Sequence, residues 1–169
     1  MAPKKSKQKG ALVSIVMGSD SDLSTMKEAA LALKKLELTH EISVISAHRT
    51  PEEVANFAKK AKSRGIRVII AGAGGAAHLP GMIAAYTELP VIGVPVPVGS
   101  LQGYDALFSI VQMPKGIPVA TVAIGNAWNA GILAAQILGV ADPRILDRVR
   151  EYKAEMRRQV LTKKVTAHA

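Results

Sequence analysis

The chain has 169 residues, the length of one ordinary domain, and 49% of them are apolar, which is enough for a hydrophobic core. Aromatic residues make up only 4% and cysteine is absent, so the core must be aliphatic, and disulfides, a thiolate nucleophile and cysteine metal sites are excluded. The net charge of +9 lies at the two ends, because residues 1–10 and residues 141–169 carry +4 each. The body between them is nearly neutral, so we expect no nucleic-acid surface there.

Strand-like and helix-like stretches alternate along the chain. Runs rich in Val and Ile predict five strands, near 12–17, 42–46, 66–71, 91–96 and 118–124. Helices are predicted near 22–36, 51–63, 78–86, 104–112, 127–138 and 143–160, the last of them charged and amphipathic. This alternation is typical of a parallel sheet with right-handed crossovers. We therefore predict a flavodoxin-like, three-layer α/β/α sandwich with a parallel sheet and an additional C-terminal helix, whose strand order stays open.

Several helix ends carry their own signals. Asp22 is expected to cap the first helix, which begins at Leu23. Thr50 and Pro51 predict a capped start of the second helix, and Gly65 is in the usual position past its end.

Three polar segments follow the first three predicted strands, and they concentrate the chemistry of the chain. They are Gly18–Asp22, Ser46–Pro51 and Ala71–Pro80. Since the strands are expected to be parallel, all three segments should project from one edge of the sheet, which is where open α/β sheets bind ligands.

The first segment combines a flexible glycine with two hydroxyls at a helix start. Backbone amides there attract anions, and Ser19 and Ser21 add hydroxyl donors. Asp22 would repel a phosphate and is better suited to accept hydrogen bonds from sugar hydroxyls. The alternative is a capped turn that binds nothing.

The second segment is more specific because it places His48 beside Arg49 and Ser46. Histidine is the side chain best suited to move a proton near neutral pH. An arginine at a helix start suits a phosphate or a carboxylate. We therefore predict that His48 is catalytic, although a single histidine is more often structural.

The third segment has almost no side chains, so it offers backbone amides and space for a small group through Gly72, Ala73 and Gly74. It matches G-x-G-x-x-A, but it follows the third strand and lacks the acidic partner of a dinucleotide site. His78 is either a second functional imidazole or a polar group that fixes the loop.

Other chemistries have no support in the sequence. There is no P-loop, no G-x-S-x-G elbow and no zinc-ligand spacing among the four His residues, so we expect no metal. The segment 94–103, dense in Pro and Gly, is the best candidate for a further functional loop.

Together these segments resemble the N5-carboxyaminoimidazole ribonucleotide mutases of purine biosynthesis. The resemblance runs from about Val13 to Leu138 and includes the three segments together with Gly93–Val96, Ser109–Pro114 and Gly116–Val119. Relatives that carboxylate the aminoimidazole directly with carbon dioxide often carry Lys-Gly-Pro after the histidine. Arg49-Thr50-Pro51 therefore favours the mutase class.

The resemblance implies a substrate, a mechanism and the role of each residue. The carboxylate of a phosphoribosyl aminoimidazole carbamate leaves nitrogen as carbon dioxide and adds to ring carbon C4, while His48 shuttles the protons. Ser19, Ser46 and Arg49 would hold the phosphate, Asp22 the ribose, and residues 72–77 the carbon dioxide. Neither ATP, a metal nor a redox cofactor is implied. The substrate-binding set is predicted as Ser19, Ser21, Asp22, Ser46, Arg49, Gly72, Ala73, Gly74 and His78.

Two other functions stay open, a direct carbon-dioxide-dependent carboxylase and a non-catalytic nucleotide-binding module. We predict a basic disordered tail at 1–10, a single α/β catalytic domain at 11–160 and a C-terminal tail at 161–169. No apolar run approaches the ~20 residues that span a bilayer, so we expect a cytoplasmic protein without a membrane partner. The resemblance implies a homo-octamer, and stretches rich in Ala and Gly, such as 127–135, would allow close packing between subunits.

Overall fold

A computed structural model describes residues 10–163, which form five parallel strands. The strands are β1 (Val13–Met17), β2 (His40–Val44), β3 (Val68–Ala73), β4 (Val91–Pro95) and β5 (Ala120–Thr121). Their order in the sheet is β2-β1-β3-β4-β5, and every neighbouring pair is parallel. This is the flavodoxin-like order of doubly wound sheets, in which the chain reverses its winding direction between β1 and β3.

Helices cover both faces of the sheet, so the predicted three-layer sandwich is confirmed. On one face lie α1 (Leu23–Lys35) and α5 (Ala127–Gly139). On the other lie α2 (Pro51–Ala61), α3 (Leu79–Tyr86) and α4 (Tyr104–Val111). The predicted C-terminal helix, α6 (Pro143–Thr162), packs on α5.

The core is almost entirely aliphatic on both faces of the sheet, as the composition predicts, with Phe57 of α2 as a buried aromatic. Strand β1 is buried at every position, with Ile15 facing α1 and α5 and Val16 facing α2. Central parallel strands are covered on both faces and therefore have continuous apolar sequences rather than alternating ones.

Small residues let α5 lie very close to α1. A Cβ on Gly131 would be 2.7 Å from the Ala32 Cβ and 2.8 Å from the Ala29 carbonyl oxygen. The Ala- and Gly-rich stretch 127–135 thus packs within the chain, and its expected part in contacts between subunits stays a prediction.

Three predicted strands differ by two residues or more from their bounds in the structure. Strand β2 begins and ends two residues earlier than expected, at 40–44 instead of 42–46. Strand β3 begins and ends two residues later than expected because Gly72 and Ala73 join the ladder: the Gly72 carbonyl accepts from Gly18 N at 3.2 Å, and the Ala73 carbonyl accepts from Val96 N at 2.9 Å. Strand β5 has only two residues, since it lies at an edge of the sheet and follows Pro118, which has no N–H to donate.

The predicted side-chain caps of α1 and α2 are wrong, although both helices begin where expected. The carboxylate of Asp22 accepts from Ser19 N instead of capping α1, and the hydroxyl of Thr50 donates to the Ser46 carbonyl. Gly65 is correct: its φ is +96°, Gly65 N donates to the Lys62 carbonyl and Ile66 N to the Ala61 carbonyl.

The predicted tails lie mostly outside the described residues, which exclude 1–9 and 164–169. At the other end of the domain, α6 continues through Thr162, beyond the predicted boundary at residue 160. Within 10–163, no helix is both long enough and apolar enough to cross a membrane.

Candidate active site

The three polar segments meet in one cleft at the carboxyl ends of β1, β2 and β3. The cleft has a volume of about 470 Å³ and lies at the point where the strand order reverses, between β1 and β3. Nine of the ten residues predicted for the site line it: Ser19, Ser21, Asp22, Ser46, His48, Arg49, Ala73, Gly74 and His78.

After β1, residues 20–22 form a single turn of 3-10 helix that Ser19 caps. Ser19 Oγ accepts from Ser21 N at 3.4 Å, and Asp22 Oδ2 accepts from Ser19 N at 3.1 Å. This reciprocal capping box fixes both side chains at the cleft wall. The spacing of Ser19 and Asp22 in the sequence is that of a capping box, but the box belongs to the short 3-10 turn and not to α1.

Asp22 is an unusual carboxylate because only 4% of its surface is exposed. Burial raises its pKa above the ordinary value of 3.8, and hydrogen bonds from Ser19 N and the Ser21 hydroxyl lower it by less. The protein alone therefore stabilises the charged form of Asp22 incompletely. This is typical of a carboxylate that accepts hydrogen bonds from a bound ligand.

After β2, Ser46 and Arg49 form a compact turn. Ser46 Oγ accepts from Arg49 N at 3.3 Å and from Arg49 Nε at 3.1 Å. The Arg49 guanidinium also donates from Nη2 to the Gly18 carbonyl at 3.0 Å, which links the ends of β2 and β1. Because Ser46 Oγ already accepts two hydrogen bonds, its own hydrogen is available to an acceptor in the cleft.

His48 and His78 are in direct contact, although they are 30 positions apart in the sequence. Nε2 of His48 is 2.8 Å from Nδ1 of His78, and the ring planes are perpendicular, with centroids 4.9 Å apart. His78 is positioned by the N-terminus of α3, since its carbonyl accepts from Met82 N at 3.0 Å.

The end of β3 and the loop after it line the cleft with Ala73, Gly74 and Ala76. Gly72 is the exception among the predicted site residues: it is buried within β3, where a Cβ would collide with the Met26 side chain. Gly74 faces Val98, and a Cβ there would lie 2.5 Å from Val98 Cγ2.

Val98 is the lining residue that the sequence analysis did not single out, although it lies in the Pro- and Gly-dense segment flagged as a further loop. Gly18, Ala47, Ala76 and Leu79 also line the cleft and carry no chemical signal of their own. Within residues 10–163 no group of three or more His, Cys, Asp or Glu is arranged to hold a metal ion.

The fold and the cleft define a class: a flavodoxin-like α/β protein whose switch-point cleft combines imidazole, guanidinium, carboxylate and hydroxyl groups. A family model described as AIR carboxylase matches residues 12–159. The chain belongs to this family.

Individual proteins are similar over nearly the whole chain. An N5-carboxyaminoimidazole ribonucleotide mutase of Thermotoga maritima is 63% identical over 151 residues, which are 89% of this chain and 88% of the relative. A phosphoribosylaminoimidazole carboxylase of Schizosaccharomyces pombe is 57% identical, and the match covers 90% of this chain but 28% of that longer protein. The crystal structure of Treponema denticola PurE matches this fold with a TM-score of 0.81, and the two sequences are 32% identical. The match covers 89% of this chain and 94% of the Treponema denticola chain.

Proposed function

We propose that the protein converts N5-carboxyaminoimidazole ribonucleotide into 4-carboxy-5-aminoimidazole ribonucleotide, an isomerase step of purine (IMP) biosynthesis. The observation that carries this proposal is the 63% identity to a mutase of that name over 89% of the chain. The cleft supports it because groups suited to each part of such a substrate line one space of about 470 Å³.

The phosphate of the substrate binds at the ends of β1 and β2. Arg49 uses two of its donors on Ser46 Oγ and the Gly18 carbonyl, which fixes the guanidinium and leaves its other N–H groups for phosphate oxygens. The Ser46 hydroxyl adds a further donor at the same wall. The hydroxyls of Ser19 and Ser21 donate to the carboxylates of Asp20 and Asp22 in the free protein and would rotate to reach the phosphate.

The ribose binds at Asp22. A carboxylate accepts hydrogen bonds from sugar hydroxyls, and Asp22 is held toward the cleft by its bond from Ser19 N. Since burial makes its charge costly in the free protein, the ribose hydroxyls supply stabilisation that the protein lacks.

His48 moves the proton in two steps. First, the N–C bond of the carbamate breaks, its electron pair stays on the exocyclic nitrogen, and His48 gives that nitrogen a proton. Next, C4 attacks the released carbon dioxide, and the neutral His48 removes the proton from C4. The reaction thus balances with one imidazole and no other reactant.

The carbon dioxide stays beside the loop between β3 and α3. Ala73, Gly74 and Ala76 offer no nucleophilic side chain there, and Val98 covers Gly74. Small apolar groups on this wall leave carbon dioxide no nucleophile to react with, and the bound substrate would exclude water from it between the two steps.

We also propose that the protein works as a cytoplasmic homo-oligomer, an octamer by its resemblance. Helix α4 presents an apolar stripe, since Tyr104 is 60% exposed, Phe108 59% and Val111 50%. Stripes of this kind commonly mark interfaces between proteins. Light scattering measures the mass directly, and a monomer at micromolar concentration would contradict the proposal.

The test is an assay of the purified protein with the carbamate substrate, without ATP and without bicarbonate. We expect formation of the C4-carboxylated product. The alternative is a carboxylase that uses aminoimidazole ribonucleotide and carbon dioxide, which the 57% identity to a protein of that name favours. Turnover of that pair alone would identify the carboxylase, and product binding without either reaction would identify a non-catalytic nucleotide-binding module.

A further inference from the structure

We propose that Thr50 is a positioning residue, whose hydroxyl closes the turn 46–50 and thereby holds His48 and Arg49 at the cleft. Thr50 is not among the residues that line the cleft, so it acts through the turn and not by contact with the substrate. This inference rests on the proposed function, because it assigns the residue that keeps the proposed proton carrier and phosphate ligand in place.

The turn 46–50 is closed by three hydrogen bonds between its two end residues. Thr50 N donates to the Ser46 carbonyl at 3.0 Å, which is the i+4 bond of a single helical turn. Thr50 Oγ1 donates to the same carbonyl at 2.9 Å and accepts from Ser46 N at 3.1 Å. One hydroxyl can donate and accept at once, so one side chain binds both backbone groups of Ser46. We call these two side-chain bonds the Thr50 clamp.

The sheet offers the Ser46 amide no partner. The bonds from this segment to β1 continue as far as Ile45, whose amide donates to the Met17 carbonyl at 2.9 Å. Since successive amides point to opposite sides of a strand, Ser46 N points away from β1. Strand β2 has no neighbour on that side in the sheet of described residues. The Thr50 hydroxyl therefore takes the place of a missing strand where the chain leaves the sheet.

Both groups assigned to the substrate depend on this closed turn. His48 and Arg49 lie between its two ends and are exposed. Arg49 donates from N and Nε to Ser46 Oγ, so the direction of the guanidinium follows from where Ser46 is held. The Thr50 clamp orders the turn before a ligand arrives, and binding then does not have to supply that order.

The experiment compares Thr50→Val with Thr50→Ser. Val keeps the branched shape of Thr but forms neither bond of the clamp, whereas Ser keeps the hydroxyl. Without the clamp the closed turn is only partly populated, and a ligand that selects it binds more weakly in proportion. We expect T50V to raise KM roughly 10-fold, the worth of two exposed hydrogen bonds, and to leave kcat within about 2-fold of wild type. T50S should stay near wild type in both constants.

Thr39→Val is the matched control, because Thr39 forms the same pair of bonds outside the cleft. Its Oγ1 accepts from Leu12 N at 3.3 Å and donates to the Gly10 carbonyl at 3.0 Å. Like Thr50, it is exposed. Both T39V and T50V should melt below wild type, but only T50V should change KM. The pair thus separates a loss of stability from a loss of positioning.

Two further measurements do not depend on turnover. The affinity for the C4-carboxylated product, measured by titration, should fall in T50V by the same factor as KM rises. In the substrate-free protein, the Ser46 amide should exchange its hydrogen faster in T50V than in wild type or T50S, because the bond that protects it is absent. Thermal melting identifies a variant that does not fold, in which case T50A replaces T50V throughout.

The outcomes separate this inference from the proposed function. A wild-type protein that binds the product without mutase turnover contradicts the proposed function, whereas weaker product binding by T50V still supports the clamp. A folded T50V variant with wild-type KM and product affinity overturns the inference. So does a fall in kcat with KM unchanged, or an equal rise of KM in T50V and T39V.

Discussion

At the scale of single residues, His48 is the side chain on which the proposed chemistry depends. His48→Asn is expected to lower turnover ~10²- to 10⁴-fold, because Asn cannot accept and return a proton. Product affinity and thermal stability should stay near wild type, since His48 is exposed. Turnover, product binding and melting are measured on the same variant.

The matched control for this variant is His40→Asn. His40 lies at the start of β2, outside the cleft, and its Nδ1 is 3.1 Å from the Leu38 carbonyl. It should keep full turnover. Substantial residual turnover in folded H48N would remove His48 from its role and leave His78 as the next candidate.

Arg49 is expected to bind phosphate through the planar fork of its guanidinium. Lysine cannot bond Ser46 Oγ, the Gly18 carbonyl and a phosphate together, so Arg49→Lys should raise KM roughly 10- to 100-fold, the equivalent of one charged hydrogen bond. Steady-state kinetics measure the change. Arg67→Lys, at an exposed position outside the cleft, is the control, and equal KM values for both variants would argue against Arg49 as the phosphate ligand.

The raised pKa of Asp22 predicts that the stability of the fold depends on pH. Its folded pKa is raised above 3.8 by burial, so as pH rises the unfolded chain loses this proton first and folding becomes less favourable. Asp22→Asn should therefore melt above wild type at neutral pH, and the difference should narrow as pH falls towards 3.8. Its affinity for substrate should nevertheless decrease.

The exposed Asp20 in the same turn provides the comparison. Asp20→Asn removes a carboxylate that accepts hydrogen bonds from Ser19 Oγ and Ser21 N. Because this carboxylate is not buried, we expect no rise in melting temperature at neutral pH. An Asp22→Asn protein that melts below wild type at neutral pH would show that its capping bond outweighs the cost of burial.

At the scale of elements, the close contact of α5 with α1 depends on Gly131. The Cβ of Gly131→Ala would meet Ala32 and backbone of α1, and overpacking costs ~1–3 kcal/mol, against ~1 kcal/mol gained by replacing a helical glycine. A lower urea midpoint is expected.

Gly81→Ala is the helical control for this substitution. Its Cβ would meet only the Sδ and Cε atoms of Met113, at 3.0 and 3.1 Å, which are the flexible end of a side chain. It should be neutral or stabilising. If Gly131→Ala and Gly81→Ala lowered the urea midpoint by the same amount, neither the helix propensity of alanine nor the packing around each glycine would explain the result.

The elements also show what the sequence can reveal and what it cannot. Apolar runs located every strand, and the parallel arrangement then required the segments after β1, β2 and β3 to meet. The end of β3 was missed because Gly72 and Ala73 have loop-like composition and are held in the ladder by bonds from Gly18 and Val96. The contact of His48 with His78 depends on which strands are neighbours, which local patterns do not specify.

At the scale of the whole molecule, most of the positive charge lies outside the part that carries the site. Residues 1–9 contain four Lys, whereas the described residues that line the cleft all lie between 18 and 98. Deletion of residues 1–9 is therefore expected to leave kcat/KM unchanged. The comparison is made with the full chain at two salt concentrations, because a loss confined to low salt would reveal electrostatic attraction of the anionic substrate by the tail.

The position of β2 at the edge of the sheet has a consequence for how the protein unfolds and loses activity. Strand β2 lies at one edge of the sheet of described residues, pairs with β1 alone, and leads to the turn that carries His48 and Arg49. Edge elements with few neighbours exchange their amide hydrogens through local opening, while a central strand such as β1 opens only with the whole domain. Release of β2 would separate Arg49 from Gly18 and His48 from His78 and leave the other four strands paired. Under mild denaturation the protein can therefore lose activity through local unfolding of β2, before the whole fold is lost.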